Sequence, residues 1–228
     1  GAPGDNSNMG AVWVFTRSAG TWSQQGSKIT ASGSIGSSIA FGVSISHQRD
    51  TLVVGASTEH STGAVYILTR SGSTWTQRQR LVGSNPLASQ AQGSSVYIWD
   101  NYVAMGAVES GGVGSVYIFR QETSTTWREV RHVTGTVNIG NSAQGRSICL
   151  RNLSLAFGGD LDNSNTGAVW TIFRDPMVLP TSTPTQSPSR SPSKAPSLSS
   201  PSKSPITSSP SLSPIKAPSN SPTTPTTL

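Results

Sequence analysis

Four short lines of this sequence superimpose: GAVWVF from Gly10, GAVYIL from Gly63, GSVYIF from Gly114 and GAVWTI from Gly167. The steps between them are 53, 51 and 53 residues, so residues 1–175 are one unit copied along the chain. A fixed period of this size specifies a repeat array, in which each copy buries an apolar face against its neighbour. Such arrays present surfaces more readily than they enclose catalytic machinery. No paired carboxylates and no nucleophile–base spacing stand out in the repeats.

The most complete copy reads as four strands. Phe41-Gly42-Val43-Ser44-Ile45-Ser46 alternates apolar and polar, as a half-buried opening strand does. After a turn at His47 to Asp50, Thr51-Leu52-Val53-Val54-Gly55-Ala56 is nearly all apolar, which predicts a second strand covered on both faces. A polar turn from Ser57 to Thr62 leads to a third strand at Gly63-Ala64-Val65-Tyr66-Ile67-Leu68, rich in β-formers. Trp75 to Leu81 then alternates polar residues in the manner of a charged outer strand. The other copies keep the order, with opening-strand glycines at 42, 93 and 145 and second-strand glycines at 1, 55, 106 and 158. Outer-strand tryptophans recur at 22, 75 and 127, which predicts packing between adjacent copies. The expected fold class is all-β, with four-stranded antiparallel β-propeller blades of about 52 residues each.

Phe41-Gly42, then Leu52-Val53-Val54-Gly55-Ala56, then Gly63-Ala64-Val65-Tyr66 resembles the FG-GAP repeat, and Gly1-Ala2-Pro3 matches its GAP triplet. The resemblance covers the whole head and implies a propeller like that of integrin α heads and of bacterial and algal surface proteins. Gln92-Gly93 and Gln144-Gly145 stand where the family has Phe-Gly. The family's calcium loop, D-x-D-x-D-G before the second strand, has no counterpart in Ser46 to Asp50, Trp99-Asp100-Asn101 or Arg151-Asn152. Those positions lack the several carboxylate oxygens that calcium requires.

Counting strands from Gly1 to Phe173 gives 3, 4, 4 and 3, about three and a half blades, fewer than the usual ring of about 4 to 8. Two explanations stay open: further blades lie upstream of Gly1, or open edges pair between molecules in a filament-forming contact. The chain opens in mid-motif without an initiator Met, and the expectation is that its true start is missing or processed away.

Residues 176–228 differ in kind. They hold 13 of the 15 prolines and no aromatic residue, with Ser or Thr at nearly every second position. This composition cannot offset the entropy of ordering, and it predicts a disordered or extended polyproline-II tail. Fully extended at ~3.1 Å per residue, it would span on the order of 160 Å. Ser/Thr with Pro is the composition of an O-glycosylated stalk, and the tail resembles the Ser/Pro-rich regions of algal cell-wall and surface proteins. Candidate O-glycosylation sites are Ser182, Thr183, Ser187, Ser189, Ser191, Ser193, Ser197, Ser202, Ser204, Ser209, Ser211, Ser213, Ser219, Ser221, Thr223 and Thr224. The tail carries Arg190, Lys194, Lys203 and Lys216 without an acid, +4 of the net +6. These single charges, with no aromatic groups between them, speak against nucleic acid and for diffuse attraction to an acidic surface. No stretch approaches the ~20 apolar residues of a membrane span.

Few residues invite a site reading. Asp160, Asp162 and Ser164 alternate in a manner that offers oxygens to calcium, with Asp5-Asn6-Ser7-Asn8 parallel to them, but tight turns demand the same residue types. His47, His60 and His132 fall at different repeat positions and form no ligand set. Asn152-Leu153-Ser154 is an N-glycosylation sequon in a predicted turn. Trp99, where the other copies have Gln48 or Arg151, is a candidate for sugar stacking or protein contact. The single cysteine, Cys149, reads as a small buried hydrophobe. The expectation is a non-enzymatic extracellular, cell-surface or cell-wall protein that binds protein or polysaccharide, needs no cofactor, and displays a propeller (1–175) on a stalk (176–228). The alternative is a homo-oligomeric subunit of an extracellular filament or wall.

Overall fold

The computed structural model describes residues 1–86, 89–108, 112–152 and 154–173. The stalk, its candidate glycosylation sites and the boundary after residue 175 lie outside them.

Among the described residues, thirteen strands form four antiparallel sheets. Unit 1 has β1 (Phe15–Ser18) and β2 (Thr21–Gln24). Unit 2 has β3 (Phe41–Gln48), β4 (Thr51–Ala56), β5 (Ala64–Ser71) and β6 (Thr74–Leu81). Unit 3 repeats this with β7 (Gln92–Trp99), β8 (Tyr102–Ala107), β9 (Ser115–Gln121) and β10 (Trp127–Val133). Unit 4 has β11 (Ser147–Arg151), β12 (Ser154–Gly159) and β13 (Ala168–Ile172). Each complete sheet runs in chain order, the up-and-down meander of a propeller blade. Burial follows the sequence pattern. All of β4 after Thr51 is buried, whereas β6 alternates down to a buried Leu81.

Unit 1 departs from its expected three strands. Its inner part is held by single bridges, Ala2 to Ala11 and Val12 to Ile29, and a ladder forms only between β1 and β2. Ala2 pairs with Ala11 just before the chain turns at Pro3-Gly4.

The core lies between units rather than within them. Val12 and Ile39 pack on Leu52, Val54 and Tyr66; Val53, Val65 and Ile67 pack with Val103, Met105 and Tyr117; Ala104 and Val116 pack with Leu155, Phe157 and Trp170. Trp75 and Trp127 reach back to the preceding unit as expected. The Trp75 Nε1–H donates to Gln25 Oε1 at 3.3 Å; the Trp127 backbone N–H donates to Gln79 Oε1 at 2.6 Å, and its ring lies in the core shared with unit 2. Trp22 does not follow them. It is 65% exposed, because no earlier unit stands on its side among the described residues. Cys149 is exposed as well, not buried, because it lies on the outward face of unit 4.

The entry of each unit explains where the Phe-Gly pair changes to Gln-Gly. The Gly83 N–H donates to Gln92 Oε1 at 2.7 Å, and the Gly135 N–H donates to Gln144 Oε1 at 2.6 Å, while Gln144 Nε2 donates back to the Gly135 carbonyl at 3.1 Å. Both glutamines are fully buried and capture the exit of the preceding outer strand. In unit 2 the entry residue is Phe41, whose ring meets the edge of Tyr66 at 5.4 Å between centroids.

Candidate functional site

The turns between second and third strands carry the charged and conformationally special residues. In unit 1, Asn6, Ser7 and Asn8 all have positive φ, and in unit 4 Asn163, Ser164 and Asn165 repeat this with φ of 50, 57 and 68°. Three successive left-handed residues are rare for L-amino acids, and Asn tolerates this region better than most. The identical Asp-Asn-Ser-Asn segments thus make the same tight loop. Each is closed by the repeat glycine's N–H on the acid's carbonyl, Gly10 to Asp5 at 2.8 Å and Gly167 to Asp162 at 2.9 Å.

The acid that opens this turn anchors the loop leading into the unit. Asp162 is buried, and its Oδ1 accepts from the Ile139 N–H at 2.8 Å. In unit 2 the counterpart is Glu59, completely buried, which accepts from the Ile35 N–H at 2.9 Å, from Arg80 Nε at 2.8 Å and from the Tyr66 hydroxyl at 2.8 Å. A buried carboxylate is tolerated only when paired and fully hydrogen-bonded, as here. Burial, reinforced by the hydrogen bond to Glu59, pushes the Tyr66 hydroxyl well above the ordinary tyrosine range, so it stays a donor. Sequence reasoning missed Glu59 because its turn is one residue shorter. The acid stands four positions before Gly63, against five for Asp5 and Asp162.

The metal candidates do not converge on one point. Asp160 Oδ1 accepts from Arg146 Nε at 3.0 Å, Asp162 serves Ile139, and Asp5 pairs with Lys28 at 2.5 Å. Among the described residues, no three His, Cys, Asp or Glu side chains are grouped to hold a metal ion. At the family's calcium-loop position, the turn between β3 and β4 is only Arg49-Asp50, and that between β7 and β8 only Asp100-Asn101. Two residues leave no room for a loop of alternating ligands.

Trp99 closes β7, half-buried against the third core cluster, with the Arg151 guanidinium 5.3 Å from its ring centroid. Asn152 lies exposed in the turn between β11 and β12, with φ of 48°. His47 sits edge-on to Trp75, at 5.8 Å between ring centroids. His132 stacks on Tyr117 at 4.1 Å, and burial holds its pKa below the ordinary histidine value, only partly opposed by Glu129.

Four antiparallel sheets, with glycine contacts repeated from unit to unit, define a β-propeller-type repeat protein. Residues 22–68 match the FG-GAP repeat. The matched segment crosses from β2 through β5 and includes Phe41-Gly42, and together with the β-rich sheets it fits an FG-GAP β-propeller-like family. No curated protein matches the chain. No helix among the described residues is long and apolar enough to cross a membrane.

Proposed function

We propose that this protein is a non-enzymatic adhesion or interaction module at the cell surface or in the extracellular matrix, with a protein or polysaccharide partner. FG-GAP repeats are common in extracellular and adhesion proteins, which supports the placement. The observation that carries the reading is the way the turn acids are used. Among the described residues, Glu59, Asp162, Asp160 and Asp5 all hold protein groups, so the turns of units 1, 2 and 4 use these acids to fix their own surface. Trp99 with Arg151 is the proposed contact patch, a planar ring beside a cation. No cofactor enters this function, and the residues after 175 serve as a glycosylated stalk.

The test is binding of the full chain to immobilised acidic and neutral polysaccharides, with and without a calcium chelator. Retention that survives chelation and falls severalfold in Trp99→Ala is expected. Retention that vanishes with chelator, or turnover of the polysaccharide, sinks the reading. The filament alternative keeps one observation in its favour, the edge of β13 left unpaired among the described residues. Sedimentation of the purified chain as a large, regular polymer would give it precedence.

A further inference from the structure

The contact between successive units is built the same way each time, and unit 4 carries its half with no partner opposite among the described residues. In unit 2, a Cβ on Gly55 would fall 2.0 Å from the carbonyl oxygen of Gly93, the entry glycine of unit 3. In unit 3, a Cβ on Gly106 would fall 2.0 Å from that of Gly145. Ser44 and Ser95 donate to these same two carbonyls at 2.7 and 2.6 Å. Beside them, Gly63 and Gly114 make parallel bridges with the entry glutamines, Gln92 and Gln144. The valines that follow, Val65 and Val116, are 0% exposed.

In unit 4 the counterparts are Gly158, Ser147, Gly167 and Val169. Gly167 keeps φ of +79°, beside +80° and +76° at Gly63 and Gly114, yet the nearest atoms to a Cβ there belong to its own Asp160 at 3.7 Å. Val169 is 60% exposed. Ser147, Gly158, Gly167 and Val169 line an open groove of about 600 Å³. Cys149 occupies the repeat position of Ser46, whose hydroxyl accepts from the Ile98 N–H of the next unit at 3.0 Å. The glycine conformation, the hydroxyl and the apolar side chain are all set as they are where the contact is filled.

We propose that this face of unit 4 is a docking site for the opening strand of a further blade of the same repeat type, entering with Gln-Gly or Phe-Gly. The entry glycine's carbonyl would sit over Gly158 and accept from Ser147, its entry residue would pair in parallel with Gly167, and its apolar side chains would cover Val169. This continues an interface already formed between units 2 and 3 and between units 3 and 4. In this chain the entry residues Phe41, Gln92 and Gln144 are already paired with Gly10, Gly63 and Gly114, so the strand that docks on unit 4 is a further one of that type. The inference does not depend on the ligand proposed above.

Cys149 gives the readout, being the single thiol of the chain and exposed on this face. Its alkylation rate is measured on the full chain with a synthetic peptide of residues 89–101, the protein's own entry to unit 3, and with the same peptide carrying Gly93→Val. The native peptide is expected to slow alkylation severalfold and the variant peptide not at all. Gly158→Val in the protein should abolish the protection while leaving thermal unfolding nearly unchanged. Should that variant fail to fold, Ser147→Ala, which removes one hydrogen bond, should weaken the peptide about fivefold. Alkylation unaffected by millimolar native peptide, or slowed equally by both peptides, overturns the proposal. So does protection that appears without peptide as the protein is concentrated, which would assign the face to a second copy.

Discussion

Units 3 and 4 carry the same motif in different company. Unit 3 packs Met105 and Tyr117 against unit 2 and Ala104 and Val116 against unit 4, so both faces of its sheet are covered. Unit 4 turns Phe157 and Trp170 inward but leaves Val169 in solvent. The backbone is alike in both, down to the left-handed repeat glycine. The comparison teaches that the motif specifies a surface, while burial of that surface is specified by the neighbour. Most of the stability of a repeat array resides in such nearest-neighbour contacts.

Paired substitutions at equivalent positions are the direct way to break this comparison. The largest gap is expected at the turn acid. Glu59→Ala strands the partly buried Arg80 and the Tyr66 hydroxyl and should cost about 3–5 kcal/mol, whereas Asp162→Ala loses one bond to Ile139 and should cost about 1 kcal/mol, both read by chemical denaturation. Next comes the glycine contact. Gly106→Ala forces a methyl into the Gly145 carbonyl and should cost about 3 kcal/mol, while Gly158→Ala, facing only the rotatable Ser147, should stay within about 0.5 kcal/mol. Equal losses at the two glycines would mean that unit 4 is covered after all. Ser95→Ala should cost about 1 kcal/mol and Ser147→Ala close to nothing.

The smallest effect is a pH dependence confined to an internal unit. Burial lowers the His132 pKa in the folded state, so the unfolded chain binds more protons as pH falls. The histidine's contribution is therefore complete above its unfolded value, near 6.5, and declines below it. Thermal unfolding between pH 7 and pH 5 should shift less in His132→Gln than in the parent. An identical shift would remove His132 as the cause.

Much of the fold is legible in the sequence because its cause is local. The alternation of Phe41 to Ser46 and the unbroken apolar run of Leu52 to Val54 name their strands without any partner in view. The recurring glycines mark close backbone approaches, since a Cβ added at Gly55 or Gly106 would fall 2.0 Å from a carbonyl oxygen. What depends on the neighbour is not legible. Trp22 and Cys149 look like buried residues by type, and each is exposed because no unit lies beside it among the described residues. Glu59 escaped for a different reason. A one-residue difference in turn length moves it out of register with Asp5 and Asp162, although its hydrogen-bonding role matches that of Asp162.

The two entry chemistries also bear on how such a chain folds without error. Near-identical copies invite pairing in the wrong order, a characteristic failure of repeat proteins. Here the exit of unit 1 ends in Ala31, where later exits have Gly83 and Gly135. A methyl at Gly83 would lie 2.5 Å from the Tyr117 ring and one at Gly135 2.3 Å from the Trp170 ring. Ala31 instead packs against the core of unit 2, beside the one entry that is Phe41 rather than a glutamine. One carbon atom at the exit thus goes with the kind of entry that follows it: a methyl before Phe-Gly, none before Gln-Gly.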